Sequence, residues 1–107
     1  MSDAKWSDKE KKIARRAFDA AVDRERVAFL AEFKQKAAEA NDFDDLWEIR
    51  EYLAERQRAL AHKYDYRYSQ LLFVFGILLR EKRIAEAELA GLAEDKLIVI
   101  RRFLDAG

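Results

Sequence analysis

Residues 43–75 read FDDLWEIREYLAERQRALAHKYDYRYSQLLFVF. The stretch opens on an acidic cluster, runs through a highly charged segment with one tryptophan, and closes in an aromatic–aliphatic run. Asp42 or Asp44 can cap a helix here, and the neighbouring carboxylates suit the positive end of a helix. From about 44 to about 64, Leu46, Leu53 and Leu60 recur every seven residues, with Ile49 and Tyr52 beside them. That seam is narrow. Arg50, Glu51, Glu55, Arg56, Gln57 and Arg58 fill the remaining positions, which predicts a two- or four-helix contact rather than a deeply buried helix. Residues 64–68, YDYRY, continue this helix or bend it. Residues 71–79, LLFVFGILL, fit a buried strand as well as a buried helix by periodicity alone. No second convincing strand exists to pair with them, so the reading is a buried helix. Gly76 inside it costs helix stability relative to alanine and marks a close helix crossing.

Outward from this stretch the pattern stays helical. Toward the N-terminus, Ser7 with Glu10 three residues on forms a capping box, so a helix starts near residue 8. Ile13, Ala17, Phe18, Ala21, Val22, Phe29, Leu30, Phe33 and Ala37 then follow at helical spacings to about residue 40. Such a helix is roughly 45–50 Å long at 1.5 Å per residue, which predicts a long antiparallel hairpin or a dimer arm. Toward the C-terminus a short helical turn is expected over 85–89 and a break at Gly91. A last helix over about 94–104 is expected to bury Leu97, Ile98, Ile100 and Leu104.

Composition agrees. The 107 residues include no proline and three glycines, too few for a turn-rich β fold, and the helix formers Ala, Leu, Glu, Lys and Arg dominate. The fold class is therefore all-α: long helices over about 7–64 for dimerisation and a small helical head over about 65–104, together one helical domain. A chain this short buries a modest core, and dimerisation would hide apolar surface that a monomer cannot cover.

Charge and chemistry narrow the function. Acidic and basic residues balance at 21 each, which lacks the electrostatic footprint of a general nucleic-acid binder. Tyr64, Tyr66 and Tyr68 accordingly read as partly buried rings with their hydroxyls in water. Without cysteine there is no disulfide or thiolate metal site, and the single histidine, His62, has no partner His for a metal. His62, Asp65 and Ser69 fall on one face of a continued helix, but nothing supplies the oriented pocket that nucleophilic catalysis needs. LWEIREYL has a passing likeness to the first helix of small all-α chorismate mutases, yet the rest of their arginine, lysine and glutamine pattern is absent. The N-terminus has no signal-peptide core and no apolar run is long enough to cross a bilayer as a helix, so a soluble, cytoplasmic protein is expected. Trp47 is the most discriminating residue. It reads either as the edge of the core or as an aromatic anchor at a protein interface. Arg50, Glu51 and Gln57 extend it into a polar–aromatic strip.

DDLWEIREYL, followed by KYDYRYSQLLFVF and AELAGLAEDK, resembles the fluorescence recovery protein family of cyanobacteria. The likeness is densest over 43–75 and looser through residue 96. The resemblance implies an all-helical homodimer with a small head and no enzymatic activity or cofactor of its own. It implies binding to the photoactivated form of the orange carotenoid protein, faster return of that partner to its orange form, and an end to phycobilisome quenching. It places the family's interface tryptophan at Trp47, beside Leu46, and the family aspartate at Glu51. The family histidine falls at Arg50 and the interface arginine at Gln57. In the head it points to Phe73 as a partner contact, although a buried core phenylalanine fits that position equally well. Because Glu51 and Gln57 cannot form the family's ion pair across the dimer, a second expectation stands beside the first: the same helical dimer acting on a different protein partner.

Overall fold

Ser7 starts the first helix as its spacing predicts. The Ser7 hydroxyl accepts the Glu10 amide at 3.1 Å, and the Glu10 carboxylate accepts the Ser7 amide at 3.0 Å. In the computed structural model, which describes residues 5–105, the elements are α1 (Asp8–Glu39), α2 (Phe43–Lys63), α3 (Leu71–Arg80), a 3-10 turn (Glu86–Leu89) and α4 (Glu94–Asp105). No strand occurs among the described residues, so the run over 71–79 is helical. Asp42, one of the two proposed caps, accepts the Asp45 amide at 2.9 Å and begins α2.

α1 has 32 residues, about 48 Å of helix, and the molecule is 53 Å along its longest axis. One helix therefore runs its whole length. Its two halves meet different surroundings. Ile13, Ala14, Ala17, Phe18 and Ala21 enter the core with Leu71, Val74, Phe75 and Leu78 of α3, Leu89 and Ile100. Beyond Ala21 the only buried residue of α1 is Glu25, and α2 has no buried residue. The N-terminal half of α1 with α3, the 3-10 turn and α4 forms a packed head. The C-terminal half of α1 with α2 forms an arm. Small residues on α1 let the head close tightly, and the capping box contributes to it. The second Glu10 carboxylate oxygen accepts the Ala93 amide at 2.9 Å, and the buried Lys96 ammonium donates to Glu10 at 3.3 Å and to the Lys5 carbonyl at 2.5 Å.

Of the two alternatives for YDYRY, the chain takes the bend: residues 64–70 leave the helix, so His62, Asp65 and Ser69 share no helix face. Two sequence expectations change. The Tyr64 hydroxyl points into the protein, not into water, and donates to Glu25 at 2.8 Å. Tyr66 stands edge-on to Phe18 with the Arg15 guanidinium 3.7 Å from its ring centroid. Ile98 is 42% exposed rather than core. α4 buries the face of Lys96 and Ile100, and Ile98 lies about 200° around the helix from Ile100; Leu97 and Leu104 are half-buried.

α3 ends in a tight turn. The Lys82 amide donates to the Leu79 carbonyl at 3.0 Å and the Arg83 amide to the Leu78 carbonyl at 2.8 Å, the double bond of a left-handed helix cap. Lys82 holds the left-handed conformation, with φ of 61°, that normally falls to glycine. Lys82→Gly is therefore expected to raise stability by up to about 1 kcal/mol. An unfolding midpoint equal to or below that of the parent would show that the lysine side chain compensates for its backbone.

Candidate interaction surface

The arm presents what the head does not cover. Along α2, Phe43 is 75% exposed, Trp47 59% and Leu46 48%, and across the hairpin Val27 and Leu30 of α1 are also largely exposed. Two hollows adjoin Leu30, Phe43 and Leu46. Phe29, Leu30, Phe33 and Leu53 line a groove of about 330 Å³ with Arg26 at its edge. Ala37, Ala40, Phe43 and Leu46 line another, of about 580 Å³, toward the hairpin tip. Leu46 and Leu53 of the α2 seam thus face a shallow apolar surface open to solvent, while Leu60 lines the charged cleft toward the head. Contiguous exposed apolar surface of this kind marks an interaction site far more often than scattered single residues do.

The charged strip lies alongside. Arg50, Glu51 and Gln57 are exposed on α2, and among the described residues their side chains make no hydrogen bond or ion pair. At 100° per residue Glu51 falls about 40° to one side of Trp47 and Gln57 about 80° to the other, on the Leu46 side, with Arg50 between. The strip is therefore broad, about a third of the helix circumference, and open along its length. Trp47 lies outside the core cluster of the head. In the head, Phe73 is 46% exposed and is not buried. It stands edge-on to Phe103 at 5.1 Å between centroids, over a hollow that Leu72 and Val99 share.

The opposite side of the arm is polar and largely paired internally, although among the described residues the buried Arg56 Nε has no hydrogen-bond partner. Glu25, 3% exposed, accepts from Lys63 at 2.7 Å, Tyr64 at 2.8 Å, Arg83 at 3.2 Å and Arg56 at 3.4 Å. Burial pushes its carboxyl up, but the Lys63, Tyr64 and Arg83 bonds outweigh burial and bring it down to about 2. Burial and the Glu25 carboxylate push the Tyr64 phenol well above its usual range. Arg56 also lies 3.6 Å from Glu32, which accepts the Tyr52 hydroxyl. The arginines that an anion pocket would require are thus apart. Arg56 is committed to carboxylates in the cleft between arm and head, and Arg50 faces solvent on another side of α2. Among the described residues no group of three or more His, Asp or Glu is placed to hold a metal, and no helix is long and apolar enough to cross a membrane.

The sequence model of the photoprotection regulator fluorescence recovery protein family matches residues 6–103, nearly the whole chain. The chain belongs to the fluorescence recovery protein family. It is 36% identical over 95 residues to the fluorescence recovery protein of Synechocystis sp., covering 89% of this chain and 87% of that relative. Solved structures of the fluorescence recovery proteins of Fremyella diplosiphon and of Synechocystis each superpose with a TM-score of 0.89 at 34% identity, covering 94% of this chain and 99% of theirs. The all-helical architecture is therefore the family's, and the family is one of photoprotection regulators. Sequence reasoning did not find Glu25, the Glu10–Lys96 pair, or Phe43 and Phe103 as members of the exposed surfaces.

Proposed function

We propose that this protein is a non-enzymatic, cytoplasmic, dimeric regulator that binds the photoactivated orange carotenoid protein. In this reading it speeds the partner's return to the orange state and so ends quenching of the phycobilisome. The carotenoid belongs to the partner, and this chain needs no cofactor. One observation carries the proposal beyond family membership: α2 has no buried residue, yet it carries Leu46 and Trp47 on an open apolar face. A helix so poorly covered is marginal in water without a partner, and a second copy laid on this face would cover it. Trp47, Leu46, Arg50, Glu51 and Gln57 are the proposed contact residues on the arm and Phe73 the one on the head. A rigid dimer with contacts on both can hold two domains of a partner together and raise their effective concentration. To accelerate reassociation it must bind the transition state better than the separated state.

The dark red-to-orange relaxation of a photoactivated orange carotenoid protein, followed by visible absorbance, tests this. Acceleration at substoichiometric amounts is expected. Trp47→Ala should leave the helix content intact, since the ring is exposed, and weaken association by about 2 kcal/mol, roughly 30-fold. Undiminished association would remove Trp47 from the interface. The unpaired Arg50 and Gln57, where the family carries histidine and arginine, favour a second reading. There the same dimer serves a different protein partner, and no carotenoid protein from any source would respond.

A further inference from the structure

We propose that Glu25 is a positioning residue, a buried carboxylate latch that fixes the arm at one angle to the head. The functional part of this inference rests on the reading above, because a partner that touches both Trp47 and Phe73 needs them at one spacing.

The covalent path between the two parts is weak. α2 joins α3 through residues 64–70, which form no helix, and no side chain of α2 is buried. The head is held by apolar packing that α2 does not share. Toward the tip, α2 touches α1 through half-exposed pairs such as Tyr52 with Phe29 and Glu32. At its other end the polar contacts converge on Glu25, beside the Tyr64 ring that packs edge-on to Phe18. Lys63 and Tyr64 arrive from the end of α2, and Arg83 arrives from the turn after α3. Lys63 is bonded to Glu81 of the same turn as well. One carboxylate on α1 therefore ties the arm helix and the head turn to the same point.

The chemistry makes this point all-or-none. Three cations from two elements surround one buried anion. Removing the anion leaves Lys63, Arg56 and Arg83 facing one another with only Glu81 and Glu32 nearby, and like charges in a partly desolvated site repel strongly. The relief available is for the end of α2 to move away from the head, opposed there by the apolar contact of the Tyr64 ring, edge-on to Phe18. The cleft of about 1020 Å³ between them, with Glu25 and Arg83 at one end and Phe73 and Val74 on the head side, would change width as α2 moves.

The chain has no cysteine, so two introduced cysteines are unique spin-label sites. Glu55 on α2 and Arg102 on α4 are both exposed. Pulsed electron resonance is read on the labelled full chain diluted into an excess of unlabelled protein, which removes distances between protomers. The parent is expected to give one narrow distance distribution. Glu25→Gln keeps the size of the side chain and should replace that peak with a broad or displaced distribution while helix content is retained. Arg83→Gln, which leaves the carboxylate in place, should broaden it less and serves as the reading if Glu25→Gln does not fold. An unchanged narrow peak in the folded variant overturns the latch. The measurement needs no partner, so its failure leaves the proposed function standing. Absence of accelerated relaxation with the parent protein would remove the function and leave the latch intact.

Discussion

Gly76→Ala is expected to lower the unfolding midpoint by roughly 10 °C. A Cβ at position 76 would lie 2.4 Å from the Phe103 Cβ and 3.1 Å from the Ile100 carbonyl oxygen, with the Leu104 nitrogen at 3.3 Å. These atoms are backbone or the first atom of a side chain, so no rotamer change clears them. α3 and α4 must move apart, and α3 contributes Leu71, Phe75 and Leu78, three of the largest fully buried side chains. Alanine recovers about 1 kcal/mol of helix propensity over glycine. Overpacking a tight site costs up to about 3 kcal/mol, and a contact this short sits at the upper end of that range. The balance is a loss of about 2 kcal/mol. Thermal unfolding by circular dichroism at one fixed protein concentration measures it, since a dimer's midpoint shifts with concentration. An unchanged or raised midpoint would mean that the two helices separate at little cost and that Gly76 is not what brings them close.

The close crossing at Gly76 was readable because a lone glycine within an otherwise apolar helix has few other uses. The capping box at Ser7 and the acidic start of α2 were readable because caps depend on residues three positions apart. Direction of burial was harder. In α1, the apolar positions continue evenly from Ile13 to Ala37, but only the first half meets the head. Periodicity reports which face is apolar, not whether another element covers it. For the same reason periodicity leaves Trp47 between the edge of the core and the open surface, and its 59% exposure sets it on the open surface. Glu25 occupies the apolar phase of α1, four residues after Ala21 and four before Phe29. A charge in that phase is a usable signal for a buried ion pair, but its partners lie 31 to 58 residues away, beyond any local pattern. The inward turn of Tyr64 has the same origin, since its acceptor is Glu25.

Acid is expected to separate the contribution of Glu25 from the remainder of the fold. Its carboxyl is held at about 2 in the folded protein against an ordinary value of 4.5. A folded value below the unfolded one means that the unfolded chain binds the proton more readily. The stabilisation is then fully present above about pH 4.5 and is lost as the pH falls toward 2. For this group it is on the order of 3 kcal/mol, a large share of the stability of a small domain. Glu10, held down by the Ser7 amide together with Ala93 and Lys96, and Glu88, held down by Arg24, shift in the same direction and add to the loss. Urea unfolding at a series of pH values should therefore show the parent weakening steeply between about pH 4.5 and 2. Glu25→Gln should begin less stable at neutral pH and fall less steeply across that window, because glutamine has no proton to take up. The difference between the two should narrow as the pH approaches 2, where the parent carboxylate is itself half neutralised. A gap that stays constant down to pH 2 would show that the glutamine loses packing rather than charge, and the ion cluster would then not be what holds α2 to the head.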